Sequence, residues 1–325
     1  MEKTKKTVCV YHSEDLDGWM SAAIVKHWFE ENHQNHLVRD YKENAEQSGN
    51  PAYLDMCGWT YGDKIPDLSE YDKVIMVDIS FPKEEMSKLR GEKGNNFTWI
   101  DHHVSAINDA KEIFGEYYDS FNGFRDTDFA ACELTWMYYF DRKESDVMPE
   151  LIRLLGRYDC FGHKGTDEEQ KVLEFQYGAR EAISNYKEAY EWLVDGEIEL
   201  IEEKGSHIYD YLKTEAKQIY SRAFPIELNE RVTGFPNAIE FKTRKFLCVN
   251  QERFNPINFG IDYHKVGYNG FACFWHKDNK WQFSLYNDNG SVDCSSIAKQ
   301  YGGGGHAGAA GMVVDTETML EIING

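Results

Sequence analysis

Residues 7–18 read TVCVYHSEDLDG: a short valine-rich run, then a polar loop that holds His12, Asp15 and Asp17 and ends on Gly18. An apolar run of this length fits a strand buried on both faces. From Trp19 to about Glu30, Met20, Ala23, Ile24 and Trp28 recur at helical spacing, so a helix is expected after the loop. Two further stretches repeat the arrangement. KVIMVDI (73–79) reads as a second buried strand ending in Asp78, and NFTWI (96–100) as a third running into Asp101-His102-His103. Strands separated by helical patterns imply a parallel sheet with helices on both faces. In such sheets ligands bind beyond the carboxyl ends of the strands, and all three strands deliver His or Asp there.

Downstream, the patterns from Ala130 to about Ala189 are helical. Glu197 to Arg222 reads as one long polar helix with a thin stripe of Ile198, Ile201, Ile208, Tyr211 and Leu212. A helix polar over most of its surface often bridges domains, and Pro225 is a plausible stop. Beyond it, Phe246–Val249, Gly270–Trp275 and Trp281–Tyr286 read as strands, Ser295–Gln300 as a short helix, and GGGGHAGAAG (302–311) as a loop. The expected fold class is α/β in two parts: a catalytic, metal-binding domain over 1–195, a linker helix over 196–224, and a smaller α/β domain over 225–325.

The 325 residues are 42% hydrophobic, enough for a sizeable core, and carry a net charge of -21. Such a surface repels nucleic acid, which proteins hold with clustered Lys and Arg. The densest basic stretch, Lys242, Arg244 and Lys245, reads as a solvated strand face. A long duplex is therefore not expected as a partner. Positive charge for a phosphate substrate has to come from bound metal and a few local groups, which favours a small substrate. The seven cysteines include no Cys-x-x-Cys pair, so neither a disulfide framework nor a structural zinc site is indicated. The polar start, Met1 to Lys6, leads into an apolar run too short for a signal-peptide core. No stretch approaches the roughly 18 apolar residues of a membrane span, so a cytoplasmic chain off the membrane is expected. Nothing in the sequence decides between a monomer and a homodimer.

The residue types at the strand ends carry the chemistry. Asp15 and Asp17 stand two apart, and carboxylates that close repel unless a cation lies between them. Mixed imidazole and carboxylate ligands suit manganese, magnesium, iron, cobalt or zinc. Six or so ligands exceed what one ion needs if substrate is also to bind. Two ions sharing a bridging carboxylate are the natural reading, an arrangement suited to in-line displacement at phosphorus. Any one of these residues alone reads more readily as a turn or a helix cap. Independent caps would not all be His or Asp at neighbouring strand ends.

His12-x-x-Asp15-x-Asp17-Gly18, Val77-Asp78 and Asp101-His102-His103 resemble motifs I to III of the DHH phosphoesterases. Arg157-Tyr158-Asp159 looks like motif IV, and GGGGHAGAAG resembles the glycine-rich loop of the accompanying DHHA1 domain. The likeness is greatest to small stand-alone members that degrade very short oligonucleotides. It implies that His12 and Asp15 hold one metal, that Asp17, His102 and Asp159 hold the other, and that Asp78 bridges. Asp101 would orient an adjacent histidine, and His103 would contact the substrate phosphate or assist the leaving oxygen. Two divalent ions are implied, manganese first, with magnesium and cobalt as alternatives, and the nucleophile would be a metal-bound hydroxide. In the second domain, Gly303, Gly304 and Gly305 would present bare N–H groups to a phosphate and His306 would donate to it. Relatives often carry an arginine in the strand before this loop. Here the strand reads Phe283-Ser284-Leu285-Tyr286, so Tyr286 is a candidate base-stacking residue, with a core position in the strand as the equal alternative.

The expected activity is hydrolysis of phosphodiester bonds in very short oligonucleotides. A phosphomonoesterase, an exopolyphosphatase or a cyclic-dinucleotide phosphodiesterase on the same scaffold is the alternative. An inactive regulatory binding protein is a third reading, which the complete ligand set disfavours. The remaining histidines carry little: His27, His33 and His36 read as a solvated helix face, and His163 as a loop residue.

Overall fold

The computed structural model describes residues 6–33, 36–41, 52–140, 147–233 and 239–324. It divides into two compact units, Met1–Ile208 and Tyr209–Gly325, and the division falls within one helix, Ile198–Tyr220.

The first unit is built on five parallel strands: β1 (Lys6–His12), β2 (His36–Asp40), β3 (Ala52–Trp59), β4 (Lys73–Val77) and β5 (Phe97–Ile100). Their order in the sheet is β2-β3-β1-β4-β5. Successive side chains of β1 go to opposite faces. Val8 and Val10 join Val74, Met76 and Trp99 in one core cluster, with Met86, Leu89 and Ile107 from α2 (Lys83–Lys93) and α3 (Val104–Phe114). Cys9 and Tyr11 join Ile75, Val77 and Ile100 in another, with Ala22, Val25 and Phe29 from α1 (Leu16–Asn32) and Leu134 from α4 (Ala131–Tyr139). Both faces are covered, which is why the central strands read as unbroken apolar runs. Each fully buried side chain of this kind contributes about 1.5–3 kcal/mol, so the register of β1 is strongly fixed. α5 (Glu150–Asp159), α6 (Glu169–Ala182) and α7 (Tyr186–Asp195) complete the unit, and α8 (Ile198–Tyr220) leaves it.

The order of the strands creates a crevice. After β1 the chain moves to β2 and β3 on one side; after β4 it moves to β5 on the other. Connections that diverge from adjacent strands open a gap at their carboxyl ends. His12 and Asp78 stand at that gap.

The second unit carries a six-stranded mixed sheet in the order β10-β11-β9-β8-β7-β6. Its strands are β6 (Phe224–Thr233), β7 (Ile239–Asn250), β8 (Gly270–Lys277), β9 (Lys280–Tyr286), β10 (Gly304–Gly305) and β11 (Ala309–Val314), with helices α9 (Cys294–Ala298) and α10 (Thr316–Asn324). Phe246, Ala272, Phe283 and Leu285 pack with Ile297 and Met319 as its core.

Several elements differ from the sequence reading. β2, β3, β6 and β11 carry no run that reads as a strand. β3 holds a buried charge, Asp55, matched by Arg39 on β2 and by Tyr71. The helix α1 begins at Leu16, so Asp17 and Gly18 lie in its first turn rather than in the loop. The cause is Asp15, whose side chain accepts from the N–H of Gly18 and caps the helix. GGGGHAGAAG is no open loop: Gly304 pairs with Gly311 and Gly305 with Ala310 in a hairpin.

Candidate metal centre

β1 carries His12 to the crevice, and α1 begins four residues later. Gly18 is essential to this close return: a Cβ there would lie 2.0 Å from the His12 carbonyl oxygen. The Nδ1 of His12 lies 2.9 Å from Asp15 Oδ2 and 3.5 Å from Asp78 Oδ2. Asp78 itself has φ 60, a left-handed conformation that a non-glycine residue adopts at a cost of about 1–3 kcal/mol. Its N–H donates to the Ile100 carbonyl across β5 at 3.0 Å, which holds the turn in place.

The two oxygens of Asp78 face different groups. Oδ2 is the one near His12, and Oδ1 lies 3.5 Å from His102 Nε2. That same Nε2 is 3.3 Å from Asp159 Oδ2 and 3.6 Å from Asp17 Oδ2. Asp78 therefore stands between His12 with Asp15 on one side and His102, Asp17 and Asp159 on the other. The six side chains singled out from sequence converge on one place. His12, Asp15 and Asp78 form one group able to hold a cation; His102, Asp159 and Cys160 form another, and Asp78, His102 and His103 a third.

Asp17 does two things at once. Its Oδ2 accepts from the Ala131 N–H at 2.9 Å and its Oδ1 from the Cys132 N–H at 2.7 Å, so it caps α4 across the unit. Each carboxylate oxygen keeps a second lone pair for another partner. Asp101 is fully buried and accepts from the backbone of His102 and His103. Its Oδ1 also lies 2.8 Å from His103 Nδ1, fixing that ring.

The donor set fits divalent cations. Both oxygens of Asp78 and the Nδ1 of His12 are buried without a hydrogen bond among the described residues. A buried carboxylate without a hydrogen bond is costly, and a cation between the groups answers all three atoms together. The protonation pattern agrees. Burial opposes charge on His12, yet Asp15 and Asp78 override it and push its pKa up to about 11. Burial likewise opposes charge on His103, and Asp101 and Asp78 carry it up to about 9. His102 moves upward too, against its own burial, through Asp78, Cys160, Asp17 and Asp159. Burial raises Asp17 well above the usual carboxylate range, reinforced by Asp78 and Asp159. Burial raises Asp159 to about 6, partly offset by His102. Asp78 goes the other way: burial is outweighed by the imidazoles that face it. Protons thus sit where cations would.

Two residues of this region escaped the sequence reading. Cys160 Sγ lies 3.8 Å from His102 Nδ1. Tyr61 stacks its ring at a tilt 6.3 Å from that of His12. Burial, Asp101 and Asp78 push its phenol up to about 12. Neither residue has a motif, and only the adjacency of Cys160 to Asp159 could have flagged one of them. His163 is buried rather than in an open loop, bonded to the Arg157 carbonyl and stacked on Tyr158, and it anchors the chain after Asp159.

In the second unit the glycine loop is partly spent on its own structure. The Gly302 N–H donates to the Lys299 carbonyl and the Gly303 N–H to the Ala298 carbonyl, closing α9. Gly303 is therefore not the bare donor expected; a Cβ there would meet the Gly311 oxygen at 2.1 Å, so it is glycine for packing. The His306 N–H donates to the Ala309 carbonyl within the hairpin. Tyr286 is half-buried and lies opposite Ala309 and Phe271 in the sheet.

Among the described residues no helix is long and apolar enough to cross a membrane. The family model described as "DHH family, N-terminal domain" matches residues 7–155. The chain is 24% identical over 321 residues to an uncharacterized protein of Acanthamoeba polyphaga mimivirus, covering 95% of this chain and 68% of that one. It is 21% identical over 271 residues to Oligoribonuclease NrnB of Bacillus subtilis, covering 78% of this chain. Only 62% of that relative is spanned, less than two thirds of its length. Similar solved structures include the pGpG-specific phosphodiesterase PggH of Vibrio cholerae, 14% identical, with a TM-score of 0.49 and coverage of 98% and 96% of the two chains. An exopolyphosphatase-related protein from Bacteroides fragilis is 13% identical, with a TM-score of 0.47 and coverage of 99% and 91%.

Proposed function

Starting from a chain whose residues 7–155 match the N-terminal domain of the DHH family, we propose that it is a metal-dependent phosphoesterase that hydrolyses the phosphodiester bonds of very short oligonucleotides with two divalent cations. The observation that carries this is Asp78, whose two buried oxygens, neither hydrogen-bonded among the described residues, face His12 on one side and His102 on the other. His12 and Asp15 would hold one cation, Asp17, His102 and Asp159 the other, and Asp78 both. Manganese is the first choice for this mixture of nitrogen and oxygen donors, with magnesium and cobalt as alternatives. Bound there, the cations would supply positive charge to the phosphoryl oxygens and lower the pKa of water towards neutrality.

The chain's own residues do the rest. Asp101 holds His103 by its Nδ1, and His103 would meet the phosphate or hand a proton to the leaving oxygen. In the second unit Gly304, Gly305, His306 and Tyr286 are the proposed substrate contacts. Gly303 drops out as a donor, because its N–H is already used. The similarity to Oligoribonuclease NrnB and the net charge of -21 support a short substrate over a long one.

The test is incubation of the manganese-loaded protein with a labelled diribonucleotide, beside 3′-phosphoadenosine 5′-phosphate, polyphosphate and a cyclic dinucleotide. Mononucleotide release from the diribonucleotide at the highest kcat/KM of the four is expected. Faster turnover of a phosphomonoester or polyphosphate would replace the substrate part of the reading. No turnover of any of them, with metal bound, would remove the hydrolytic part.

A further inference from the structure

Tyr61 follows β3 and sits beside the metal centre, yet it has no part in it. Its ring is tilted 57° against that of His12, and it meets Trp59 edge-on at 5.6 Å. Its hydroxyl reaches Ser80, two residues beyond Asp78. Ser80 is buried and Trp59 is 4% exposed, so the ring is held at firm points. Even so, Tyr61 is 56% exposed. A large ring fixed along its edges with open surface beside a phosphate-binding centre is a stacking platform.

Phe161 makes the contrast. It also adjoins the centre, two residues after Asp159, and is 41% exposed, but Lys164 Nζ lies 4.5 Å from its ring centre and covers it. A phosphate held at His12 and Asp78 brings its attached sugar and base within one nucleotide's reach of Tyr61. Stacking needs no positive charge, which suits a protein with a net charge of -21.

We infer that Tyr61 is a specificity-determining residue that stacks on the nucleobase next to the phosphate bound at the metal centre. The inference rests on the centre being a nucleotide site, so the test reads binding rather than turnover. AMP and ribose 5-phosphate are titrated calorimetrically into the manganese-loaded protein, wild type, Tyr61→Leu and Tyr61→Phe. Wild type should bind AMP roughly tenfold more tightly than ribose 5-phosphate. Tyr61→Leu, which keeps apolar bulk without an aromatic face, should lose most of that preference with ribose 5-phosphate affinity and metal content unchanged. Tyr61→Phe should keep it. The inference is overturned if wild type shows no preference for AMP, if Tyr61→Leu keeps it, or if Tyr61→Phe loses it. Failure to cleave a diribonucleotide, with the AMP preference intact and dependent on Tyr61, would instead count against the proposed reaction alone.

Discussion

Asp55 and Asp78 are both 1% exposed carboxylates of the same parallel sheet, and they have opposite surroundings. Asp55 lies within β3. Arg39 meets it from β2 through two nitrogens, and the Tyr71 hydroxyl donates to it at 2.5 Å. Asp78 follows β4 in a left-handed conformation, with no hydrogen bond on either oxygen among the described residues and only imidazoles, 3.5 Å away on either side, to answer its charge. Burial alone therefore does not mark a functional carboxylate. The mark is burial answered only by imidazoles at ion-pair distance, on strained backbone, among other ligands.

That contrast can be broken most forcefully at Asp78. Asp78→Asn should lower metal-dependent turnover at least a hundredfold, since changes merely behind a ligand already cost about 10–100-fold. Asparagine is tolerant of the left-handed region, so the turn itself should survive the change. Turnover retained within a few-fold would remove Asp78 from the centre. Asp55→Asn should do the reverse. Stripping Arg39 of its charged partner should cost about 2 kcal/mol in urea unfolding, with kcat per folded molecule unchanged. A loss of kcat without a loss of stability would mean that Asp55 serves the site.

A smaller effect is expected at Asp101, which touches His103 but faces no cation group itself. Asp101→Asn should reduce kcat about tenfold and leave metal content intact. A variant that loses metal instead would place Asp101 among the ligands. The mildest effect is on pH. With pKa values up to about 11 for His12 and about 9 for His103, both rings hold protons at pH 7 in the metal-free protein. A cation must displace the proton on any ring it binds. Manganese affinity should thus fall as pH drops from 8 to 6, by up to about tenfold per unit for each displaced proton. Calorimetric enthalpies should vary with the buffer's ionisation enthalpy. An affinity flat across this range would contradict the protonation pattern.

The same contrast explains what could be read from the sequence. β1, β4 and β5 are apolar runs stopped by His or Asp, so both the strands and the ligands they deliver stand out. β2 and β3 do not, because Arg39 and Asp55 interrupt the apolar pattern, and only pairing across the sheet makes those charges acceptable in a core. The start of α1 was hidden by Asp15, which serves as a cap while its other oxygen faces His12. Tyr61 and Cys160 reach the centre through tertiary contact, which no spacing announces. In the second unit the glycine run was legible as a special backbone, but not that Gly302 and Gly303 close α9 with their N–H groups.

The central claim is that Asp78 joins two cation sites. It is tested most directly by the anomalous difference density of a manganese-soaked crystal collected at the manganese edge. Two peaks are predicted, one among His12, Asp15 and Asp78 and one among Asp17, His102, Asp159 and Asp78. A single peak, or peaks that leave Asp78 without a metal neighbour, would contradict it.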